Sequence, residues 1–345
     1  MKSNQNIEKI ENILSNCRKA LLVGHFNPDG DSVGSVVAFH HYLNARNIFS
    51  SIVLPSKFPD YLEFLDPVES KIMVYTEHRS EVSEALAQAD VIVCLDFNNL
   101  KRTEQLEPLI RESSIPKIMI DHHPFPETGP FDVVISETEI SSACELLFKI
   151  LCQMPDVKGD VNNLSIECAR ALYAGMMTDT NNFYNSVYPS TFEMASALIG
   201  RGVDKNLIQE YVFNCYSEER MKLMGHLLKD SLFLLKGSNV AYIMLSDKDK
   251  KGYNFSSGDS EGFVNLPLSI RGIKMSALFT ENISPEETNI RVSFRSKGNW
   301  DVNRFSNLYF NGGGHINASG GRLYIPFDEV PQYFEKALKE YLDEK

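Results

Sequence analysis

The sequence predicts an α/β fold: an N-terminal doubly wound, mainly parallel sheet with helices on both faces, a helical linker, and a smaller C-terminal α/β domain with a mixed sheet. Three observations lead there. Short runs that are apolar throughout, such as ALLVGH (20–25) and VIVCLD (91–96), alternate with helical patterns in the first half. Strands without a polar side belong in sheets covered on both faces, and regular strand–helix alternation marks parallel crossovers. From about Asn239 the chain turns to strand-like runs in close succession, closed by one helical segment. Finally, 345 residues exceed what one ordinary core serves and suit two domains.

Taken in order, ALLVGH reads as a strand, and DSVGSVVAFHHYLNARN (31–47) as the helix after it. SSIVLP (50–55), KIMVY (71–75), VIVCLD and KIMIDH (117–122) read as further strands. EVSEALAQA (81–89) and SACELLFKILCQM (142–154) read as helices. Residues 162–236 are mostly helical, with IECARALYAGMMTDT (166–180) and STFEMASALIGRG (190–202) the clearest segments. SEERMKLMGHLLKDSLFLL (217–235) has the pattern of one long amphipathic helix. NVAYIMLS (239–246), IKMSALFTE (273–281), NIRVSFRSK (289–297) and GRLYIPF (321–327) are strand-like, and VPQYFEKALKEYLDE (330–344) closes the chain as a helix.

Composition narrows the function. The 34 Lys and Arg against 46 Asp and Glu give a net charge of −12. That balance disfavours tight, sequence-independent binding to long nucleic acid, which rests on cations neutralising phosphates. It leaves room for a short anionic substrate in a local pocket. The six cysteines form no C-x-x-C pair and sit mostly in apolar runs, as reduced thiols of a cytoplasmic protein do. No apolar stretch is long enough to span a bilayer, and no signal-like apolar core opens the chain.

Chemistry concentrates at strand ends. HFNPDGDS (25–32) crowds His25, Asp29 and Asp31 behind an apolar strand. Asp31 is placed to cap the following helix. Asp96 ends VIVCLD, Asp121-His122-His123 ends IMIDHH, and Asp179 follows an apolar helix. Each alone is an ordinary turn or cap residue. His40, His41, His78 and His226 read as packing or surface. Together, the four acidic segments meet one sheet edge, where ligands of such sheets gather. Asp29, Asp31, Asp96 and Asp179 carry four negative charges. Two divalent cations balance them, with neutral His25 and His122 completing the donor set. Mixed carboxylate and imidazole ligation suits Mn2+ first, with Mg2+ or Co2+ as alternatives. Such ion pairs hydrolyse phosphate esters.

HFNPDGDSVGS, CLDFNN, IDHHP and GMMTDTNNF resemble, in order, the four motifs of the DHH phosphoesterase superfamily. NGGGHINASGG (311–321) resembles the glycine-rich signature of the associated C-terminal DHHA-type domain, and the lack of extra modules resembles the nanoRNase and pAp phosphatase (RecJ-like) branch. The resemblance implies a catalytic domain over 1–190, a helical linker over 191–237 and a substrate-binding domain over 238–345. It implies one metal on His25, Asp29 and Asp96, and another on Asp31, Asp96, His122 and Asp179, with Asp96 bridging. His123 then faces the scissile phosphate as a catalytic group, and Asp121 supports the histidines. Two positions depart from the family pattern: Asn181 stands where many members have Gly, and Ile316 where relatives often carry a basic residue.

In the second domain, the N–H groups of Gly312, Gly313 and Gly314 can form an anion-binding concavity, with His315 as an added donor. Arg295 can grip a phosphate in bidentate fashion. The implied activity is hydrolysis of short oligoribonucleotides to mononucleotides and of 3′-phosphoadenosine 5′-phosphate (pAp) to AMP, in a cleft between the two domains. A phosphodiesterase for cyclic di-AMP or its linear product pApA is the alternative. The expected partners are short RNA or small nucleotides, with no membrane; a homodimer is an open option.

Overall fold

A computed structural model describes residues 2–65, 72–256, 258–284 and 287–343. The chain divides into two compact units, Met1–Cys215 and Tyr216–Lys345.

The first unit holds strands β1 (Lys19–Val23), β2 (Phe49–Leu54), β3 (Met73–Val74), β4 (Val91–Leu95), β5 (Lys117–Asp121) and β6 (Val133–Ser136). Its helices are α1 (Lys2–Ser15), α2 (Gly30–Ala45), α3 (Arg79–Gln88), α4 (Glu107–Glu112), α5 (Ala143–Gln153), α6 (Ile166–Asp179), α7 (Pro189–Arg201) and α8 (Lys205–Phe213). The six strands form one parallel sheet in the order β3-β2-β1-β4-β5-β6. Alternate residues feed two cores. Leu22, Ile52, Val93 and Ile120 pack with α1, α2, α5 and α6. Leu21, Val53, Ile92 and Cys94 pack with Val82 of α3 and Ile110 of α4. Burial on both faces is why these strands show no polar alternation. The expected doubly wound sheet is therefore present. Chain order reverses between β1 and β4, and the crevice beyond the carboxyl ends there is where such sheets bind ligands.

The second unit holds α9 (Glu218–Asp230), β7 (Leu232–Leu235), β8 (Val240–Leu245), α10 (Asp247–Gly252), β9 (Met275–Ile283), β10 (Thr288–Ser296), α11 (Val302–Tyr309), β11 (Gly313–His315), β12 (Ala318–Leu323) and α12 (Val330–Asp343). Its sheet runs β11-β12-β10-β9-β8-β7, with β8–β9 the parallel pair and the rest antiparallel, the expected mixed sheet. Ile290, Val292 and Phe294 of β10 pack into an aromatic core with Phe305 and Phe334 of α11 and α12. The opposite face is covered over β8 and β9 by Leu223, Leu227 and Phe263.

Several elements differ from the sequence reading. The expected long helix over 217–235 stops at Asp230, and its apolar tail becomes edge strand β7. Gly237 and Asn239, both at positive φ, turn that strand back against β8. The strand expected at GRLYIPF starts earlier, inside the glycine-rich signature, and ends at Leu323. Edge strand β6 was not anticipated; it is short and half-buried. Of the expected strand 71–75, Met73–Val74 form β3 and residue 71 lies outside the described residues; so does residue 344 of the closing helix. Helices α7 and α8 fall in the first unit and α9 in the second. Among the described residues, no helix is long and apolar enough to cross a membrane.

Candidate metal centre

The residues named from the first-domain motifs meet at the carboxyl edge of the parallel sheet. His25 follows β1, Asp96 follows β4, Asp121 ends β5 and His122 follows it. Asp29 caps α2, its carboxylate accepting from the N–H groups of Asp31 and Ser32. Asp31, expected as that cap, instead reaches across to another helix. Its two oxygens accept from Ala143 N (2.6 Å) and Cys144 N (2.9 Å) at the start of α5. Free N–H groups and the positive end of the helix dipole hold this buried carboxylate in place. Asp179 is the last residue of α6. That helix crosses α2 so closely that a Cβ on Gly34 would stand 2.7 Å from the Ala171 carbonyl oxygen.

Asp96 sits at the centre with φ +64, a left-handed conformation that costs strain in a non-glycine residue. Its two oxygens face different partners. Oδ2 lies 3.4 Å from His25 Nε2, which is also 3.9 Å from Asp29 Oδ1. Oδ1 lies 3.5 Å from His122 Nε2, which is also 3.8 Å from Asp31 Oδ2 and 3.7 Å from Asp179 Oδ2. Two donor sets thus share one carboxylate. His25 Nε2 and Asp96 Oδ1 are buried and, among the described residues, have no hydrogen-bond partner. Orphaned atoms like these are costly in a core unless something else satisfies them.

Charge crowding shows in the titration of the cluster. Burial, then the neighbouring Asp96 and Asp179 carboxylates, holds Asp31 well above the usual carboxylate range. Burial also pushes Asp179 up to about 6. Burial opposes ionisation of Asp96, but His122 and His25 beside it outweigh that and hold it well below the usual range. Burial likewise opposes the charge on His122, yet Asp96, Asp179 and Asp31 push it up to about 10. Carboxylates crowded this tightly call for positive charge among them. Oxygen and imidazole donors with orphaned lone pairs fit hard or borderline divalent cations.

Asp121 backs His123. Its oxygens accept from the His123 N–H (3.0 Å) and from ring Nδ1 (2.8 Å). That fixes the proton on Nδ1 and leaves Nε2 an acceptor for Arg102 Nη1, 3.2 Å away. Sequence reasoning missed Arg102. It lies in a 3-10 turn three residues beyond the CLDFNN motif, outside the residues that the motif names, and the fold sets it beside His123.

In the second unit, β11 and β12 pair so that His315 stands opposite Ala318, and Ala318 opposite Arg295 on β10. His315 and Arg295 therefore share one row of the sheet, with a small residue between them. Gly312 precedes β11, while Gly313 and Gly314 lie within it. The glycine run has a packing cause as well: a Cβ on Gly312 would stand 1.8 Å from the Gly320 carbonyl oxygen. Asn181 has φ +47, followed by Asn182 and Phe183 at +55 and +64. Asparagine tolerates this region best after glycine, so the departure from Gly costs little. Ile316 is solvent-exposed.

Comparison with known proteins agrees with this geometry. The DHH family, N-terminal domain, matches residues 19–176, ending just before Asp179, and the DHHA1 domain matches residues 237–344. The bifunctional oligoribonuclease and PAP phosphatase NrnA of Bacillus subtilis is 28% identical over 331 residues, 93% of this chain and 95% of that protein. The cyclic-di-AMP phosphodiesterase PdeA of Listeria monocytogenes is 23% identical over 97% of this chain but 49% of that protein. An exopolyphosphatase-related protein from Bacteroides fragilis, known from its crystal structure, is 37% identical. The match covers 98% of this chain and 96% of that one, with a TM-score of 0.91. Matched along both units, the chain belongs to the DHH family of metal-dependent phosphoesterases and carries the associated DHHA1 domain.

Proposed function

We propose that this hydrolase degrades very short oligoribonucleotides to mononucleotides and removes the 3′-phosphate of pAp, using two manganese ions. The observation that carries this reading is Asp96, one oxygen of which faces His25 and Asp29 while the other faces His122. The end-to-end likeness to NrnA supports the substrate class. His25, Asp29 and Asp96 would hold one ion; Asp31, Asp96, His122 and Asp179 would hold the other. Bound there, divalent cations would lower the pKa of a water and neutralise charge on the phosphate.

The remaining work belongs to side chains. The α5 N-terminus keeps Asp31 fixed, which preorganises its donor set. Asp121 locks the His123 ring so that Nε2 accepts, and Arg102 then presents its guanidinium beside it. The pair would meet the scissile phosphate, Arg102 stabilising the charge that builds on its oxygens. Arg295 and His315, with the N–H groups of Gly312–Gly314, would hold the substrate's terminal phosphate. A net charge of −12 agrees with poor affinity for long nucleic acid. Among the described residues, Cys17, Cys94, Cys144, Cys152 and Cys168 are free thiols, as a reducing cytoplasm would keep them.

A substrate panel tests this. Turnover with Mn2+, Mg2+ or Co2+ is measured on pAp, a diribonucleotide, a 24-mer, cyclic di-AMP and pApA. Fast hydrolysis of pAp and the dinucleotide, with the 24-mer far slower, is the expected result. Equal rates on long and short RNA would sink the length selection. Preference for cyclic di-AMP would move the function to that of PdeA.

A further inference from the structure

The face of the second sheet away from its aromatic core carries a pattern that the proposed grip on the terminal phosphate leaves unused. On β10 the even-numbered residues Ile290, Val292 and Phe294 enter the core, so Arg291, Ser293 and Arg295 share the other face. The antiparallel register sets their neighbours on β12: Ala318 opposite Arg295, Gly320 opposite Ser293, and Arg322 opposite Arg291. Across β12, Gly313 pairs with Gly320. The face therefore has a basic row at Arg295 and His315, a floor of Ser293, Gly320 and Gly313 with almost no side chain, and a second basic row at Arg291 and Arg322.

Two arginines directly opposite each other in a ladder repel. Both are solvent-exposed, and among the described residues neither has an acidic partner. Thr280 stands opposite Arg291 on β9. Desolvation, and after it the Arg322 charge, lowers the pKa of Arg291, with no carboxylate acting against them. A repulsive pair facing solvent is a liability to the fold and an asset to an anion site. At roughly 3.4 Å per residue, the two basic rows stand about 14 Å apart along the strand, further than one nucleotide step reaches.

We propose that Arg291 and Arg322 form a second phosphate subsite, taking an internal phosphodiester of a short oligoribonucleotide whose end is held in the Arg295–His315 row. The shallow floor between the rows gives the intervening sugar-phosphate room to lie against the sheet. This rests on the reading of Arg295 and His315 given above. It separates substrates by the rows they engage: pAp engages the first row alone, while a chain of several nucleotides engages both.

Binding without turnover tests the subsite. The full chain, held in EDTA, is titrated with a fluorescein-labelled pentaribonucleotide by anisotropy over a range of salt concentrations, and with pAp as competitor. The Arg291→Ala/Arg322→Ala double variant is expected to bind the pentamer about tenfold more weakly. It should also show a log–log salt slope shallower by about 1.4, two contacts at ~0.7 each. The loss for pAp should be several-fold smaller than for the pentamer. Arg291→Lys/Arg322→Lys should restore the slope. If the double alanine variant does not fold, Arg322→Gln alone should lower the slope by about 0.7. An unchanged pentamer slope, or equal losses for pAp and pentamer, would overturn the subsite. Failure of the wild-type enzyme to cleave the pentamer with Mn2+ would instead strike the proposed function, leaving the anisotropy result to stand on its own.

Discussion

Two six-stranded sheets make up this chain, and they put function in different places. In the parallel sheet both faces are consumed by packing: Leu21 and Ile92 point one way, Leu22 and Val93 the other, all buried. Little on the strands is left for chemistry, so His25, Asp96 and His122-His123 stand just past their ends, with Asp121 at the last position of β5. In the mixed sheet one face of β10 and β12 is half-buried to exposed, and polar side chains stand on the strands themselves, as Arg291, Ser293 and Arg295 do. The first sheet works at its edge and the second on its face. A doubly covered sheet can concentrate charge at a switch point because its strands are rigid and dry. A half-covered sheet offers a broad, evenly spaced surface suited to an extended ligand.

If that division is right, substitutions in the two sheets should fail differently. The largest effect belongs to Asp96→Asn, which keeps the size of the side chain and a residue tolerant of φ +64 while removing the shared carboxylate. Turnover should fall by about a thousandfold or more, with the circular dichroism spectrum unchanged. Calorimetric titration with Mn2+ should show both donor sets weakened, since each lists Asp96 among its atoms; near-normal turnover would remove its bridging role. Next comes Arg102→Met. Loss of one preorganised donor costs about a hundredfold in kcat, with little change in KM or in Mn2+ affinity. Arg295→Ala should give the reverse pattern, raising KM by roughly tenfold and sparing kcat. An Arg102 variant that altered KM alone, or an Arg295 variant that altered kcat alone, would break the contrast between edge and face.

The same contrast explains what could be seen in advance. Strands buried on both sides announce themselves as unbroken apolar runs, which is why β1, β2, β4 and β5 were plain in the sequence. Elements of the mixed sheet were harder. β7 is an edge strand with Phe233 and Leu234 exposed, and its apolar residues continue the period of α9. β11 and β12 run through GGGH and ASGG, where glycine suggests a turn and the strand pairing is purely tertiary. At the metal centre, motif order announced the acidic and imidazole side chains. Asp121 was legible as a support, but two others were not: the hold of α5 on Asp31 spans 112 residues, and Arg102 reaches His123 from a turn whose sequence carries no motif.

The smallest effect concerns one of those remote supports. Glu145, fully buried in the first turn of α5, accepts from Ser141 Oγ, Ser190 Oγ (both 2.5 Å) and Thr191 Oγ1 (2.7 Å). It pins the start of α7 to the same helix whose first N–H groups hold Asp31. Burial opposes its charge, but these hydroxyls and the Ser141 N–H outweigh that and lower its pKa. The native state therefore binds the proton less readily than the unfolded chain, where glutamate titrates near ~4.3. The carboxylate's contribution is complete above that value and fades as pH falls through the lower native pKa. Glu145→Gln should cost about 1–2 kcal/mol at pH 7. The melting-temperature gap to wild type should close as the pH drops below about 4. Mn2+ affinity should weaken with it, because the shift of α5 loosens Asp31; Arg295-dependent binding in the other unit should not respond. A gap that stays constant from neutral to acid would mean that the loss is one of packing rather than charge, and that the edge site does not depend on this buried anchor.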